Sequence, residues 1–315
     1  MRPPDRPALD LEGHRGARGL APENTLAGFA RALSIGVTTI ELDLGLTRDG
    51  VVVVSHDPCL NPDLTRGPDG RWLEGPVPAV ASLSYGELAR YDVGRLRPGS
   101  APAAAFPDQL PCDGARIPKL AEVFALARKA GNREVRFNLE IKTSPLRPDE
   151  TASPDAITDA VVRVVCEAGL AARSTIQSFD WRVVRRARET AADLRTACLT
   201  TQQPGDDTVD AERPGTNPWL AGLDPSAVDG SVPRLVRAAG SGVWSPDFRD
   251  LTAPRLAEAH RLGLEVVVWT VDEAEDMTRL IDMGVDGIIS DFPDRLRALM
   301  VARGMRVPRP TPVVP

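Results

Sequence analysis

Two histidines stand in matching positions of this sequence. The chain holds 3 histidines, and His14 and His56 each follow a short apolar run with the character of a strand. Between them lie Glu41 and Asp43, two carboxylates that alternate along another strand-like run. Imidazoles exchange protons near neutral pH, and neighbouring carboxylates can hold a divalent cation. The combination predicts chemistry on a phosphoryl ester.

A third carboxylate repeats the pattern later in the chain. Because strand side chains alternate, Glu41 and Asp43 point to one face, and Glu140 and Lys142 have the same spacing at the end of a later run. Buried carboxylates are costly unless they are paired or bind a cation, and oxygen ligands suit Mg²⁺ or Ca²⁺. We therefore expect Glu41, Asp43 and Glu140 to bind one divalent cation. The alternative is a network of ion pairs that only ties the strands together.

The two histidines are the candidate proton carriers. Cleavage of a diester takes a proton from the nucleophile and gives one to the leaving alcohol. His14 and His56 are therefore predicted to be the general acid and base, in either order, and a structural role for each is the alternative. His260 lies in a helical run just before Gly263 and is expected at the surface or in a last helical turn.

Further residues are candidates for contact with a substrate. Arg15 offers a planar set of donors for phosphate oxygens and Lys142 offers a point charge; a surface salt bridge and a solvated strand end are the alternatives. Phe179 and Trp269 could form an apolar wall for a carbon chain, although core packing fits both equally well. Asp291, which precedes a Phe-Pro pair, is expected to cap the last helix.

Strand-like runs alternate with amphipathic segments along the chain, and glycines such as Gly36 and Gly284 stand where helices should end. Eight such units in about 300 residues favour an α/β fold of the (β/α)8 barrel type over a doubly wound sheet. In such a barrel, functional residues collect at the carboxyl ends of the strands. The predicted strands are residues 8–13, 38–44, 135–141, 174–179, 194–199, 242–245, 265–270 and 287–291.

Two stretches interrupt this alternation. Residues 51–55 look like the second arm of a hairpin, and residues 59–118 are rich in glycine and proline with little helical pattern. We predict that residues 1–58 form the first part of the barrel, 59–118 a cap-like insertion, and 119–304 the remainder. The proline-rich residues 305–315 are predicted to be a disordered tail.

The composition argues against several classes of protein. A net charge of -6 disfavours nucleic acid as the main partner. The sequence shows no apolar run of about 18 residues that could span a membrane, and residues 1–7 do not resemble a secretory signal. The 4 cysteines are widely spaced and fit a reducing compartment. A cytoplasmic enzyme with a small-molecule substrate is expected, and the oligomeric state stays open.

Eight short motifs carry a family resemblance. From residue 13 to residue 296 the chain contains, in order, HRG, PENT, ELD, HDP, NLEIK, QSF, VWTVD and GVDGIISDFPD. This series resembles the glycerophosphodiester phosphodiesterase family. The resemblance implies a (β/α)8 barrel with a small insertion after the second strand, and metal-dependent hydrolysis of glycerophosphodiesters to glycerol 3-phosphate and an alcohol.

The resemblance also implies a role for each candidate residue. The implied roles are acid–base catalysis for His14 and His56, metal binding for Glu41, Asp43 and Glu140, phosphate binding for Arg15 and Lys142, polar support for Glu23 and Asn24, and contact with the glycerol or headgroup for Trp269. The choice between Mg²⁺ and Ca²⁺, and between water and a glycerol hydroxyl as nucleophile, stays open. So does the identity of the leaving alcohol.

Two other functions fit the same residues. A lysophospholipase D would use the same barrel with a wider apolar entrance, which the insertion could supply. A non-catalytic barrel would only bind a phosphorylated ligand, but such a protein has no use for two proton carriers.

Overall fold

The computed structural model describes residues 9–210 and 217–315. The segment 1–7 and the first residue of the first predicted strand, Ala8, lie outside this part of the chain. The strands are β1 (Asp10–Gly13), β2 (Thr39–Leu46), β3 (Val52–Val54), β4 (Arg136–Ile141), β5 (Ser174–Ser178), β6 (Arg195–Thr200), β7 (Gln202–Gln203), β8 (Asp206–Asp207), β9 (Val243–Pro246), β10 (Glu265–Val268) and β11 (Gly287–Ser290).

The helices follow the strands in the order that the sequence predicts. They are α1 (Leu26–Ile35), α2 (Tyr85–Leu88), α3 (Ala101–Ala105), α4 (Leu120–Lys129), α5 (Pro154–Glu167), α6 (Trp181–Thr190), α7 (Val232–Ala238), α8 (Ala253–Arg261), α9 (Ala274–Met283) and α10 (Pro293–Ala302). Among the helices of residues 9–210 and 217–315, none combines the length and apolar character needed to cross a bilayer.

Eight parallel strands of the described chain close into a barrel. The strand order is β1-β11-β10-β9-β6-β5-β4-β2, and a further pairing of β1 with β2 completes the ring. Strand β3 lies outside the ring and pairs antiparallel with the end of β2. The predicted (β/α)8 barrel is therefore confirmed, and the carboxyl ends of its strands form one rim.

Helix α1 shows how local sequence places functional residues at that rim. The Thr25 hydroxyl accepts a hydrogen bond from the Gly28 N–H and caps the first turn. The helix ends at Gly36, whose φ of 84° is a left-handed conformation that favours glycine. Because the helix begins at Leu26, the preceding Asn24 is held at the entrance to the barrel.

The interior of the barrel has two chemically different halves. One half is an apolar cluster of Ala197, Val243, Val267 and Ile289, contributed by β6, β9, β10 and β11. The other half is polar, and its buried side chains are Glu12, Thr39, Asn138 and Gln177 on β1, β2, β4 and β5. Barrel interiors are usually filled by branched apolar residues. The presence of buried polar side chains in one half therefore needs an explanation. That half lies directly under the candidate site.

Residues 59–118 form a small unit beside β3. They include α2 and α3, and their apolar side chains Leu60, Val80, Leu88 and Ile117 cluster with Val53 of β3. The chain returns to the barrel where the Val54 N–H donates to the carbonyl of Pro118 at 2.9 Å. The insertion thus has its own apolar centre and is attached along the hairpin.

The carboxyl-terminal residues 305–315 lie along the barrel, so the prediction of a disordered tail is wrong. The Thr311 N–H donates to the Leu33 carbonyl at 2.9 Å. Val307 and Val313 are partly buried against the main core. The proline content shows only that the tail has fewer backbone N–H donors than an ordinary segment. It gives no information about the partners of the tail, which are a carbonyl acceptor near the end of α1 and apolar surface of the main core.

Deletion of residues 305–315 is expected to lower the free energy of unfolding by about 2 kcal/mol, because it exposes the apolar surface under Val307 and Val313. Urea unfolding followed by circular dichroism measures the change. The control is Val314→Ser, since Val314 is 78% exposed and its replacement should change stability by less than about 0.5 kcal/mol. A truncated protein as stable as the full chain would show that the tail contributes nothing.

Candidate active site

Three buried carboxylates meet at the rim of the barrel. Glu41 and Asp43 lie on β2 and Glu140 lies on β4, where Asp43 and Glu140 are partners in the strand register. Each offers an oxygen within 4.8 Å of the others. Glu41 is 1% exposed, Asp43 0% and Glu140 6%. The structure thus brings the three predicted metal ligands together and removes them from water.

Two cationic side chains balance part of this charge. The Nε atom of Arg15 lies 3.1 Å from Oδ2 of Asp43. The Nζ atom of Lys142 lies 3.1 Å from Oδ1 of Asp43 and also contacts Glu140. Although burial raises the pKa of Asp43, the charges of Lys142 and Arg15 outweigh it and hold that pKa well below its ordinary value. Asp43 is therefore the firmly ionised member of the cluster.

The pKa of Glu41 shifts in the opposite direction to that of Asp43. Burial, together with the like charges of Asp43 and Glu140, raises the pKa of Glu41 well above its ordinary value. Three carboxylates against two cations leave the cluster with a deficit of positive charge. This deficit is the electrostatic condition that a divalent cation would relieve.

The donor set fits a hard divalent cation. The buried Oδ1 of Asp43 receives no hydrogen bond, although Lys142 lies close to it. All three candidate ligands are carboxylates, and carboxylate oxygen is the ligand type that Mg²⁺ and Ca²⁺ prefer. The cluster could therefore hold a metal ion through Glu41, Asp43 and Glu140.

The turn after β1 is strained and points its donors at these carboxylates. Arg15 has a φ of 48° and Asn24 a φ of 55°, left-handed values that non-glycine residues rarely adopt. The Arg15 N–H donates to Oε2 of Glu41 at 2.8 Å, and Nδ2 of Asn24 donates to Oδ2 of Asp43 at 2.8 Å. Backbone strain persists where surrounding contacts hold it in place. Here the two hydrogen bonds to the cluster do so.

Glu23 orients the Arg15 side chain. Its Oε1 accepts from Nη1 of Arg15 at 2.7 Å, and its Oε2 accepts from Nε of Arg18 at 2.6 Å. Burial raises the pKa of Glu23, but the charges of Arg15 and Arg18 outweigh it and lower that pKa overall. Glu23 and Asn24 are thus both brought to the site. Sequence reasoning did not single out Arg18, which carries no motif signal beyond its position in the same turn.

Each of the two rim histidines is held by its own aspartate. Nδ1 of His14 lies 2.6 Å from Oδ1 of Asp291, and Nδ1 of His56 lies 2.7 Å from Oδ1 of Asp57. A carboxylate beside Nδ1 accepts a hydrogen bond from the Nδ1–H group, which fixes the tautomer and leaves Nε2 as the reactive nitrogen. Nε2 of His14 lies 4.0 Å from Oε2 of Glu41, beside the carboxylate cluster.

The interpretation of Asp291 as a helix cap is wrong. Helix α10 is preceded by Phe292, and no side chain caps it. The Asp291 carboxylate contacts His14 instead, across 277 positions of sequence. Its location just after β11, at the carboxyl end of a barrel strand, is the signal that could have identified it. Asp57 had a clearer signal, because it directly follows His56 in the sequence.

Both histidines belong to one electrostatic site. The charges of His56 and His14 each contribute to the low pKa of Asp43, after the larger effects of burial, Lys142 and Arg15. Burial, reinforced by the charge of Lys142, lowers the pKa of His56 below its ordinary value. His56 is therefore biased toward the neutral form, which can accept a proton at Nε2.

A cleft that is open to solvent lies beside His56. Glu23, Asn24 and Asp57 line its barrel side, and the insertion contributes apolar side chains such as Leu64 and Ile117. The insertion therefore forms a wall of the candidate active site.

Phe179 and Trp269 form an aromatic pair at the same rim. Their ring centroids are 5.3 Å apart and the planes meet at 89°. The two residues follow β5 and β10, and neither lines the cleft beside His56. His260, in contrast, lies in the last turn of α8, where Nε2 is 2.9 Å from Oδ2 of Asp286, in agreement with its predicted place.

Comparisons with known proteins agree with this geometry. Residues 14–295 match the glycerophosphoryl diester phosphodiesterase family. A glycerophosphodiester phosphodiesterase of Caldanaerobacter subterraneus subsp. tengcongensis is 30% identical over 284 residues, which cover 90% of this chain and 94% of that protein. A solved structure from Silicibacter pomeroyi with the same family name is 36% identical, with a TM-score of 0.84 and 95% of each chain covered.

A second solved structure shares the fold at lower identity. It is an Oleispira antarctica phosphodiesterase in complex with the product sn-glycerol-3-phosphate, with 19% identity, a TM-score of 0.66, and 94% of this chain and 97% of that chain covered. The family match spans most of the chain, and it includes both rim histidines and all three clustered carboxylates. This chain therefore belongs to the glycerophosphoryl diester phosphodiesterase family and is an enzyme of the phosphoric diester hydrolase class.

Proposed function

We propose that this enzyme hydrolyses glycerophosphodiesters to sn-glycerol 3-phosphate and an alcohol, with the help of one divalent cation and two histidines. The observation that carries the proposal is the arrangement of His14 and His56, each with Nδ1 on a carboxylate, around the acidic cluster. The product bound by the Oleispira antarctica relative supports the choice of substrate.

Glu41, Asp43 and Glu140 would hold the cation, which is Mg²⁺ or Ca²⁺. When bound, the cation polarises a phosphoryl oxygen and lowers the pKa of a nearby hydroxyl or water. The charge balance supports its presence, because three carboxylates alone repel a phosphodiester anion. With the cation added, Arg15 and Lys142 complete a positively charged surface for the phosphate.

The two histidines move the protons. His56 takes the proton from the nucleophile, which is either a water molecule or the neighbouring hydroxyl group of the glycerol unit. The assignment follows from the lowered pKa of His56, which burial and the charge of Lys142 cause. His14, oriented by Asp291, gives a proton to the departing alkoxide. One proton is thus removed and one is delivered, and both groups are restored when His56 releases its proton to solvent and His14 takes one up. If the glycerol hydroxyl attacks, water opens the resulting cyclic phosphate in a second step.

In the proposed complex, the two substituents of the phosphate would contact different surfaces of the site. The edge-to-face pair of Phe179 and Trp269 offers an apolar wall for the carbon atoms of the glycerol unit. The cleft between His56 and the insertion offers space for the leaving alcohol. The residues of the insertion would therefore decide which alcohol is accepted.

The proposed compartment is the cytoplasm. All 4 cysteines of the chain are free thiols in the structure. A reducing compartment keeps cysteines in this state.

Replacement of His14 or His56 by alanine is expected to lower turnover about 100-fold or more, because each removes one proton transfer. The measurement is release of glycerol 3-phosphate from glycerophosphocholine, with circular dichroism as a check of the fold. His260→Ala is the matched control and should retain activity, since His260 lies in α8 and pairs with Asp286, which is not part of the carboxylate cluster.

Near-normal turnover in either variant would contradict the acid–base assignment. Lysophosphatidylcholine, assayed in parallel, separates the proposed activity from that of a lysophospholipase D. Ligand binding without any release of glycerol 3-phosphate from either diester would instead favour a non-catalytic barrel.

Exhaustive removal of metal is expected to abolish both turnover and substrate binding, because the uncompensated cluster of Glu41, Asp43 and Glu140 repels the phosphodiester. Dialysis back into Mg²⁺ or Ca²⁺ should restore both. Isothermal titration with glycerol 3-phosphate measures the binding, and the restored sample controls for damage by the chelator. Full activity in the metal-free protein would rule out the cation.

Asp57→Asn is expected to lower turnover and to move the acidic limb of the profile of kcat/KM against pH to lower pH. Burial lowers the pKa of His56, whereas the hydrogen bond to Asp57 raises it in part. Loss of that carboxylate therefore lowers the pKa further, so the neutral base persists to lower pH but is weaker. Asp69→Asn, an exposed change in the insertion that follows Asp57, is the control. An acidic limb that stays in place or moves upward would contradict the role of Asp57.

A further inference from the structure

A chain of buried polar side chains runs through the barrel below the carboxylate cluster. Nδ2 of Asn138 donates to Oε2 of Glu12 at 2.9 Å and to Oε1 of Gln177 at 3.0 Å. Nε2 of Gln177 then donates to Oε1 of Glu41 at 3.3 Å. These four side chains are buried, with at most 4% exposure, and three of them occupy the polar half of the interior at Glu12, Asn138 and Gln177.

With Glu12 and Glu41 acting as acceptors at its two ends, this chain of hydrogen bonds has one workable direction. An amide turned by 180° exchanges its donor and its acceptor. A reversed Asn138 would place its oxygen against the oxygens of Glu12 and Gln177, which would repel it. In the observed orientation Oδ1 of Asn138 has no hydrogen-bond partner, so its two donated bonds alone hold it. Because Oε1 of Gln177 is then occupied, its NH₂ group must face Glu41.

Glu12 can act as an acceptor whether or not it is ionised. Burial, together with the charge of Asp10, raises the pKa of Glu12 well above its ordinary value. A neutral carboxyl group still has one oxygen that accepts. From β4, Asn138 donates to Glu12, and Arg136 pairs with Asp10 at 2.6 Å and partly offsets the charge of Asp10.

Glu41 depends on this orientation because it is held at both oxygens. The Arg15 N–H donates to Oε2 at 2.8 Å, and Gln177 donates to Oε1 at 3.3 Å. If Gln177 turned round, two oxygens would face each other and Glu41 would be pushed from its place in the cluster. Groups that orient a metal ligand in this way commonly change metal affinity 10–100-fold when they are removed.

We propose that Glu12 is a positioning residue for the metal site: acting through Asn138 and Gln177, it fixes the donor that orients Glu41. Glu12 touches neither the cation nor the substrate. This inference rests on the proposed function, since it requires that Glu41, Asp43 and Glu140 bind a cation.

The test is titration of the metal-free enzyme with Mg²⁺ alone by isothermal calorimetry. Glu12→Leu removes the acceptor and is expected to weaken the Mg²⁺ Kd about 10-fold or more. Glu12→Gln keeps an oxygen acceptor of the same length and should stay within about twofold of the wild type. Thr175→Val is the matched control inside the barrel, next to Asn138 in the register, and should leave the Kd unchanged.

A second comparison asks whether Glu12 acts through Gln177. Gln177→Leu removes the donor to Glu41 and should weaken Mg²⁺ binding by about as much as Glu12→Leu. In the Gln177→Leu background, Glu12→Leu should then have no further effect, because the two changes break the same chain. Additive effects on the Kd would overturn the proposal, since a general loss of packing adds independently.

The outcomes separate this inference from the proposed function. If the wild type binds neither Mg²⁺ nor Ca²⁺, the metal site fails and the inference fails with it. If the wild type binds Mg²⁺ and Glu12→Leu binds equally well, only the inference fails. Should Glu12→Leu not fold, Glu12→Ala takes its place, because it also removes the acceptor. A wild-type Kd in Glu12→Ala overturns the inference, and a weakened Kd that does not weaken further in the Gln177→Leu background supports it.

Discussion

The burial of three carboxylates at the mouth of the barrel is the constraint on which the rest of this structure depends. Negative charges that lie so close together in a poorly solvated place are costly unless neighbours compensate them. Arg15 and Lys142 supply part of that compensation. The strained turn at Arg15 and the raised pKa of Glu41 are two further consequences of the same crowding. A divalent cation bound there would complete the balance and make the site attractive to a phosphodiester.

The division of the barrel interior follows from this constraint. A metal ligand must keep its orientation, and in a dry interior only directed hydrogen bonds can hold a carboxylate in one position. The polar half below Glu41 provides them through Gln177. The other half is filled by the apolar side chains that Trp269 packs against. The barrel thus combines ordinary packing on one side with a hydrogen-bonded support on the other.

The two histidines are oriented by parts of the fold with different sequence separations. His56 is held by the residue that follows it, so its geometry is set at the entrance to the insertion. His14 is held by Asp291, so its geometry exists only once β1 pairs with β11 and the ring closes. The insertion adds an apolar wall next to His56 and leaves the chemistry at the barrel rim. Under the proposed function, this separation would allow the leaving alcohol to vary while proton transfer stays the same.

The sequence alone determined the alternation that forms the barrel, the shared face of Glu41 and Asp43, and the motifs that indicate the family. These are local properties, because periodicity and spacing are set within a few residues. The partners of His14 and Glu41 could not be predicted from the sequence. Asp291 and Gln177 are brought to them only by strand register and ring closure. The ordered tail was missed for a related reason: proline content describes the segment itself, whereas its partners lie on other elements. Tertiary structure decided these contacts because each joins groups whose positions no local pattern encodes.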